Sequence, residues 1–156
     1  MPSDITDPEL GTLAWDDELA YWRHEDYPLS DRGTIRLSLT PKDDDSISPN
    51  LIAEMVERAR TSLHWVRRHE PDLRLAIALR MLALYNESWR EDDLDEQPIN
   101  ANEFAERIHL TSIDVQADGE LGLYFDDGDI EMFGGHSIVA QLGTDHKLRG
   151  DPHLAG

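Results

Sequence analysis

The 156-residue chain contains no cysteine, and this absence excludes several kinds of chemistry together. Without thiols the protein has no disulfide, no cysteine nucleophile and no cysteine ligand for zinc or an iron–sulfur cluster. Chains without disulfides are typical of the reducing cytoplasm, and we therefore expect a cytoplasmic protein.

Long apolar runs are also missing. A transmembrane helix needs about 18 or more apolar residues in succession, and no run of that length occurs. The first residues, MPSDITDPELG, lack the basic start and apolar core of a secretory signal. We expect neither a membrane span nor a signal peptide.

Positive charge is scarce. The chain has 14 Lys and Arg against 33 Asp and Glu, which gives a formal net charge of −19. Such an acidic surface repels nucleic acid and anionic lipid, so we expect neither as a partner and instead expect a basic protein. The sequence has no P-loop, no G-x-G-x-x-G, no G-x-S-x-G and no H-E-x-x-H. It therefore predicts no cofactor and favours a protein that is not an enzyme.

Apolar and polar residues alternate with period two near both ends of the chain. Residues 34–40, TIRLSLT, alternate strictly, and residues 12–15 and 19–22 predict a shorter pair of strands. Three more strands are predicted beyond residue 110, with turns at Asp118-Gly119 and Asp127-Gly128. Short links of this kind favour antiparallel pairing.

The middle of the chain has helical spacing. Ser48-Pro49 predicts a helix start, because serine caps a helix and proline suits its first position. Glu70-Pro71 predicts the end of that helix, and residues 72–89, apolar on nearly every face, predict a second, buried helix. Asn100 and Glu103 predict the cap of a short third helix.

These patterns predict an α+β fold. Antiparallel sheet or sheets, formed by the N- and C-terminal strands, would pack against a central helical hairpin plus one short helix. Residues 1–9 are polar with two prolines and predict a flexible tail, and residues 10–156 predict a single domain.

One stretch concentrates acids, glycines and a histidine: residues 124–138, YFDDGDIEMFGGHSI. The favoured interpretation is a strand-connecting turn, in which Asp126, Asp127 and Asp129 face solvent and glycine adopts a positive φ. The alternative is a metal-dependent hydrolase whose zinc, manganese or iron is held by Asp126, Asp129 and His136. A calcium loop is excluded, because Met132 stands where such a loop needs glycine.

A second candidate lies at the end of the predicted central helix. Tyr85, Asn86 and Glu87 place an aromatic ring, an amide and a carboxylate side by side. They either contribute to a binding site with Asp126, Asp127, Asp129 and His136, or close the helix end by bonding to neighbouring loops.

Several of these segments resemble a family of bacterial proteins, the domain of unknown function catalogued as number 2262. The resemblance covers the chain from about Leu10 to Gly156. Its most specific segments are LYNESW at 84–89, F-x-x-R-I-x-L-x-S-I at 104–113, FDDGD at 125–129 and GHSI at 135–138. The link between FDDGD and GHSI is longer here than is usual in the family, which argues against a metal site that depends on spacing.

The resemblance implies an α+β fold and no established activity. Domains of this kind are similar in style to the immunity proteins of toxin systems. Residues and resemblance together predict a non-catalytic, protein-binding domain, an immunity-type protein that binds a basic toxin through its acidic surface. The metal-dependent hydrolase remains the alternative.

Overall fold

The structure is a computed structural model that describes residues 2–30, 32–90, 97–129 and 131–156. Within these residues, eight strands and two α-helices confirm the predicted α+β class. The strands are β1 (Ile5–Asp7), β2 (Gly11–Asp16), β3 (Tyr21–Ser30), β4 (Gly33–Thr40), β5 (His109–Gln116), β6 (Leu121–Asp126), β7 (Ser137–Leu142) and β8 (His153–Ala155). The α-helices are α1 (Pro49–Leu84) and α2 (Ala101–Arg107).

The described strands form one sheet whose spatial order follows the chain from β1 to β8. The prediction of purely antiparallel pairing is wrong at one position, because β4 and β5 run parallel, with Leu37 beside Ile113 and Leu39 beside Val115. A parallel pair needs a long crossover, and the segment that contains α1 and α2 supplies it. The sheet is therefore mixed, with two antiparallel halves joined at its centre.

The alternation of the strands separates the two faces of the sheet. Leu37, Leu39 and Ile113 are completely buried and belong to the same core as the inner side of α1. Their polar neighbours Ser38 and Asp114 lie on the opposite face, since successive side chains of a strand point in opposite directions. One face of the sheet thus packs on the helix and the other is open.

The predicted helical hairpin is wrong, because α1 continues without a break from Pro49 to Leu84 with Pro71 inside it. The start was predicted correctly: the Ser48 side chain accepts a 3.1 Å hydrogen bond from the Leu51 backbone N–H. Proline within a helix removes one backbone hydrogen bond and bends the axis, but the buried side chains Val66 and Leu73 on either side stabilise helical structure across it.

The second half of α1 is less buried than its composition predicted. Leu73, Ile77 and Met81 pack into the core, whereas Leu79 is 66% exposed and Leu84 is 41% exposed. The helix lies on one face of the sheet, and its outer side therefore has no layer to pack against. None of the helices in the described ranges is both long enough and apolar enough to cross a membrane.

The first strand lies within residues 1–9, which the sequence predicted as a tail. Ile5 and Asp7 belong to β1 and are buried, and β1 pairs with β2. The Asp7 carboxylate forms an ion pair with Arg60 of α1 and accepts backbone hydrogen bonds from Glu9 and Leu10. The pairing with Arg60 ties this first strand to the helix.

Candidate functional site

The acidic stretch forms a loop between β6 and β7, and its first residues make the predicted turn. The Asp126 side chain accepts from the Gly128 backbone N–H at 3.2 Å and from the His109 backbone N–H at 3.0 Å. Gly128 has a φ of +86°, and a Cβ added there would lie 2.9 Å from the Arg107 carbonyl oxygen. The turn therefore requires glycine both for its conformation and for its close approach to α2.

Asp127 does not face solvent as the sequence predicted. It is only 4% exposed, and its Oδ2 accepts from the backbone N–H groups of Phe133 at 2.9 Å and Gly135 at 2.7 Å. Its own carbonyl accepts from the Met132 N–H at 3.1 Å. Asp127 is thus the internal anchor of the loop, because a buried carboxylate needs such donors.

The metal-site alternative receives no support from this geometry. Asp129 is exposed, whereas His136 is partly buried and stands edge-on to Trp89 with ring centroids 5.9 Å apart. Across the described ranges, no three acidic or histidine side chains come together in a group that would hold a metal ion. The structure does not group Asp126, Asp129 and His136 as ligands around one point.

The end of the long helix changes its winding. Tyr85–Trp89 form a π-helical turn, closed by a 2.7 Å hydrogen bond from the Arg90 N–H to the Tyr85 carbonyl. Asn86 donates from its amide to the Ile99 carbonyl at 3.0 Å and accepts from the Ile99 N–H at 3.1 Å. The Asn86 amide is therefore used to hold the approach to α2, as the second interpretation of this segment predicted, while Glu87 is exposed.

The tertiary structure brings the two predicted candidate segments together. Phe133 of the loop packs edge-on against Tyr85 and Trp89, at centroid distances of 5.9 and 5.7 Å. Phe104 of α2 lies 6.0 Å from Phe133 and completes a set of four rings, which we call the aromatic cluster. The π-helical turn, α2 and the loop thus share one buried anchor.

The three segments that meet at the aromatic cluster all present acids to solvent. We call these exposed acids the acidic rim: Glu87, Glu103, Glu106, Asp126, Asp129 and Glu131. Within the described part of the chain, Asp126 alone of the six lies within ion-pair distance of a basic side chain, 3.5 Å from Nδ1 of His109. None of the other five carboxylates of the rim has a basic side chain within ion-pair distance there.

A second feature was missed by the sequence analysis. The open face of the sheet contains a trough of about 380 Å³ centred on β4 and β5. Ser38, Ser112 and Asp114 line its middle, and Tyr21 of β3 and Tyr124 of β6 flank them. The polar residues that alternate with buried residues in these strands were the sequence feature that could have indicated the trough. Only the β4–β5 pairing places them side by side.

Comparison with known families decides where the chain belongs. The model of the family described as uncharacterized protein conserved in bacteria, DUF2262, matches residues 7–150. The chain belongs to this family. The DUF2262 match confirms the resemblance inferred from the motifs. Neither a curated protein nor a solved structure matches the chain.

Proposed function

We propose that this DUF2262 protein is a non-catalytic binding domain whose acidic rim receives a basic protein, in the manner of an immunity protein that neutralises a toxin. The observation that most supports this function is the acidic rim itself. Five of its six carboxylates form no ion pair with a basic side chain among the described residues. Some other acids, such as Asp7 and Glu70, are paired with arginine inside the molecule.

Exposed carboxylates without a cation of their own can pair with the Lys and Arg side chains of a basic partner. The net charge of −19 also attracts a basic protein over distance and accelerates the encounter. Salt screens this attraction at distances beyond about 10 Å at an ionic strength of 0.1 M. We therefore expect the association rate to fall as salt is added.

Total charge does not give tight binding, which depends on a few desolvated anchor residues. Trp89 and His136 are partly buried aromatic side chains in two of the segments that carry the acidic rim. Tryptophan combines a large apolar area with one hydrogen-bond donor, and such residues commonly dominate interfaces. We assign the anchoring role to these two side chains.

A toxin that acts on nucleic acid suits this surface. Its cleft must be basic in order to bind phosphates, and exposed carboxylates placed over the cleft would occupy the positions of those phosphates. Blocking the cleft requires no chemistry from the binding protein. This agrees with the engagement of the Asp127 and Asn86 side chains by backbone groups.

The test compares two variants of equal net charge. The rim variant replaces four acids: Glu87→Gln, Glu106→Gln, Asp129→Asn and Glu131→Gln. The control variant replaces four exposed acids on other surfaces: Glu18→Gln, Asp44→Asn, Asp45→Asn and Glu54→Gln. Each immobilised protein is exposed to an extract of a bacterium that contains the gene, and retained proteins are identified by mass spectrometry.

We expect the wild type and the control variant to retain the same basic protein and the rim variant to lose it. With that protein purified, association should slow at least tenfold between low and high salt. Co-expression should also restore growth if the partner is a toxin. Retention by the rim variant as strong as by the wild type, or a rate insensitive to salt, would refute the proposal.

A further inference from the structure

The trough on the open face of the sheet differs in chemistry from the acidic rim. Hydroxyl groups dominate its lining, and the carboxylate of Asp114 stands among them. Oδ1 of Asp114 accepts from the Ser38 hydroxyl at 2.8 Å and from the Thr40 hydroxyl at 2.6 Å. Oδ2 has no hydrogen-bond partner among the described residues, so it is free to accept from a ligand.

The charges of the trough argue against an ionic ligand. Among the residues that line the trough, Arg36 is basic. Its Nε already donates to Glu25 at 2.9 Å. An anion would therefore face Asp114 without a free cation to balance it. A metal ion would find a single carboxylate among neutral hydroxyl groups, without the histidine or further carboxylates that protein metal sites commonly use.

The shape and the rings argue for a ligand with both apolar and hydroxyl surfaces. Tyr21 and Tyr124 stand on opposite sides of the strands that carry Ser38 and Ser112. Tyr124 is 37% exposed, which leaves part of its ring free for contact. Hydroxyl side chains both donate and accept, so they match a ligand that has many hydroxyl groups of its own.

The trough is also elongated. A neighbouring hollow of about 390 Å³ shares Arg36, Thr111 and Ser112 with it and extends along the strands toward Thr34. Each hollow is at the lower end of the volumes typical of small-molecule sites, roughly 300–1,000 Å³. Two adjoining hollows suit a ligand made of linked rings better than a single compact molecule.

From this combination we infer that the trough binds a neutral saccharide of at least two rings. Asp114 Oδ2 accepts from sugar hydroxyls, and the Tyr124 ring packs on the C–H face of one sugar ring. The Ser112 hydroxyl donates and accepts, whereas the Thr111 hydroxyl, which donates to the Tyr124 carbonyl at 3.0 Å, accepts. This site is separate from the proposed protein-binding function, and it involves none of the residues of the acidic rim.

The test is a titration followed by ¹H–¹⁵N NMR, which detects weak binding and locates it on the chain. The probes are maltose, cellobiose, lactose and chitobiose, each raised to about 50 mM, a range that detects binding as weak as about −2 to −4 kcal/mol. We expect at least one probe to give saturable shifts centred on Ser38, Ser112, Asp114 and Tyr124. Cytidine, a nucleoside with a single ribose ring, and inorganic phosphate serve as probes that are not oligosaccharides.

Four variants separate binding from general perturbation of the fold. Tyr124→Ala should weaken binding at least tenfold, whereas Tyr124→Phe keeps the ring and should bind as the wild type does. Ser112→Phe should fill the trough and abolish binding, since the Ser112 side chain makes no hydrogen bond to another described residue. Thr61→Phe adds the same ring on an exposed position of α1 and should have no effect.

Each possible result either supports the saccharide site or refutes it. Saturable binding of a saccharide that Ser112→Phe and Tyr124→Ala abolish, while Tyr124→Phe and Thr61→Phe retain it, supports the site. The inference fails if no saccharide gives saturable shifts, if only cytidine or phosphate does, or if binding survives Ser112→Phe. Because the variants leave the acidic rim intact, failure here leaves the proposed protein-binding function standing.

Discussion

The backbone N–H of Gly135 donates a 2.7 Å hydrogen bond to Oδ2 of Asp127, eight residues earlier in the chain. The same oxygen accepts from the Phe133 N–H, so one buried carboxylate closes the loop that separates β6 from β7. This loop supports Phe133 within the aromatic cluster, and the position of the acidic rim therefore depends on Asp127.

Asp127→Ala should destabilise the protein by on the order of 2 kcal/mol or more, because two backbone donors lose a charged acceptor and one of them is buried. Urea denaturation measures the change in the free energy of unfolding. Asp129→Ala is the matched control, since Asp129 is exposed, and it should change stability by less than about 0.5 kcal/mol. Equal effects of the two substitutions would contradict the anchoring role.

Gly128 and Gly135 offer a comparison that isolates a steric clash. Their φ angles are +86° and +85°, so alanine suffers nearly the same backbone strain at both, about 1–2 kcal/mol. At Gly128 the added Cβ would also lie 2.9 Å from the Arg107 carbonyl, whereas at Gly135 nothing lies within 4 Å. We expect Gly128→Ala to lower the thermal midpoint more than Gly135→Ala does. The reverse order would show that the loop does not pack against α2 in this way.

Asn86→Ala should free the segment that leads into α2. The substitution removes both hydrogen bonds to the Ile99 backbone, at a cost of about 1–3 kcal/mol. Amide hydrogen exchange tests this directly, because the Ile99 N–H should exchange faster in the variant. Glu87→Ala, at the exposed neighbouring position, should leave that exchange rate unchanged, and protection of Ile99 in both variants would rule out the pairing.

His146 makes stability depend on pH near neutrality. Burial lowers the pKa of His146 below its ordinary 6.5, the charges of Arg58 and His69 lower it further, and Asp145 opposes them. The folded state therefore prefers the neutral ring, which stacks on Trp65 at 4.8 Å. The resulting stability is present above pH 6.5 and is lost as the pH falls from there through the lower folded pKa.

The measurement is the free energy of unfolding of the wild type and of His146→Asn between about pH 8 and pH 5. Asparagine tolerates the positive φ of 62° at this position and does not titrate. The difference between the two proteins should shrink on the acid side. A constant difference over the whole range would exclude a contribution from His146.

Asp7 should also make the protein less stable as the pH falls, but in a more acidic range. The hydrogen bond from Arg60 is the main reason that the pKa of Asp7 is lowered from 3.8, with help from the Leu10 and Glu9 N–H groups and against the effect of burial. Its stabilisation is present above pH 3.8 and disappears as the pH falls through the lower folded pKa. Asp7→Asn should therefore cost more stability at about pH 6 than at about pH 3, as chemical denaturation at the two pH values would show. Equal costs at both pH values would contradict it.

Interactions between residues close together in the sequence were predicted correctly, whereas contacts between more distant residues were not. Ser48 and Asn100 cap their helices as the sequence indicated, and Gly128 takes the positive φ that its turn requires. These are interactions within a few residues, which a sequence pattern contains. The burial of Asp127 was not predicted because its donors lie six and eight residues further along an irregular loop.

The sequence by itself determined the α+β class, the alternation that gives each strand a buried and an open face, and membership of DUF2262 through its motifs. The tertiary structure alone decided that α1 continues through Pro71, that β4 and β5 pair in parallel, and that Asp114 meets Ser38 and Thr40. The physical reason is how far apart in the sequence the interacting residues lie. Caps, turns and alternation follow from neighbouring residues. The β4–β5 pairing and the contacts of Asp114 instead depend on packing between segments more than seventy residues apart. The continuation of α1 through Pro71 depends on a core that compensates for a lost helical hydrogen bond.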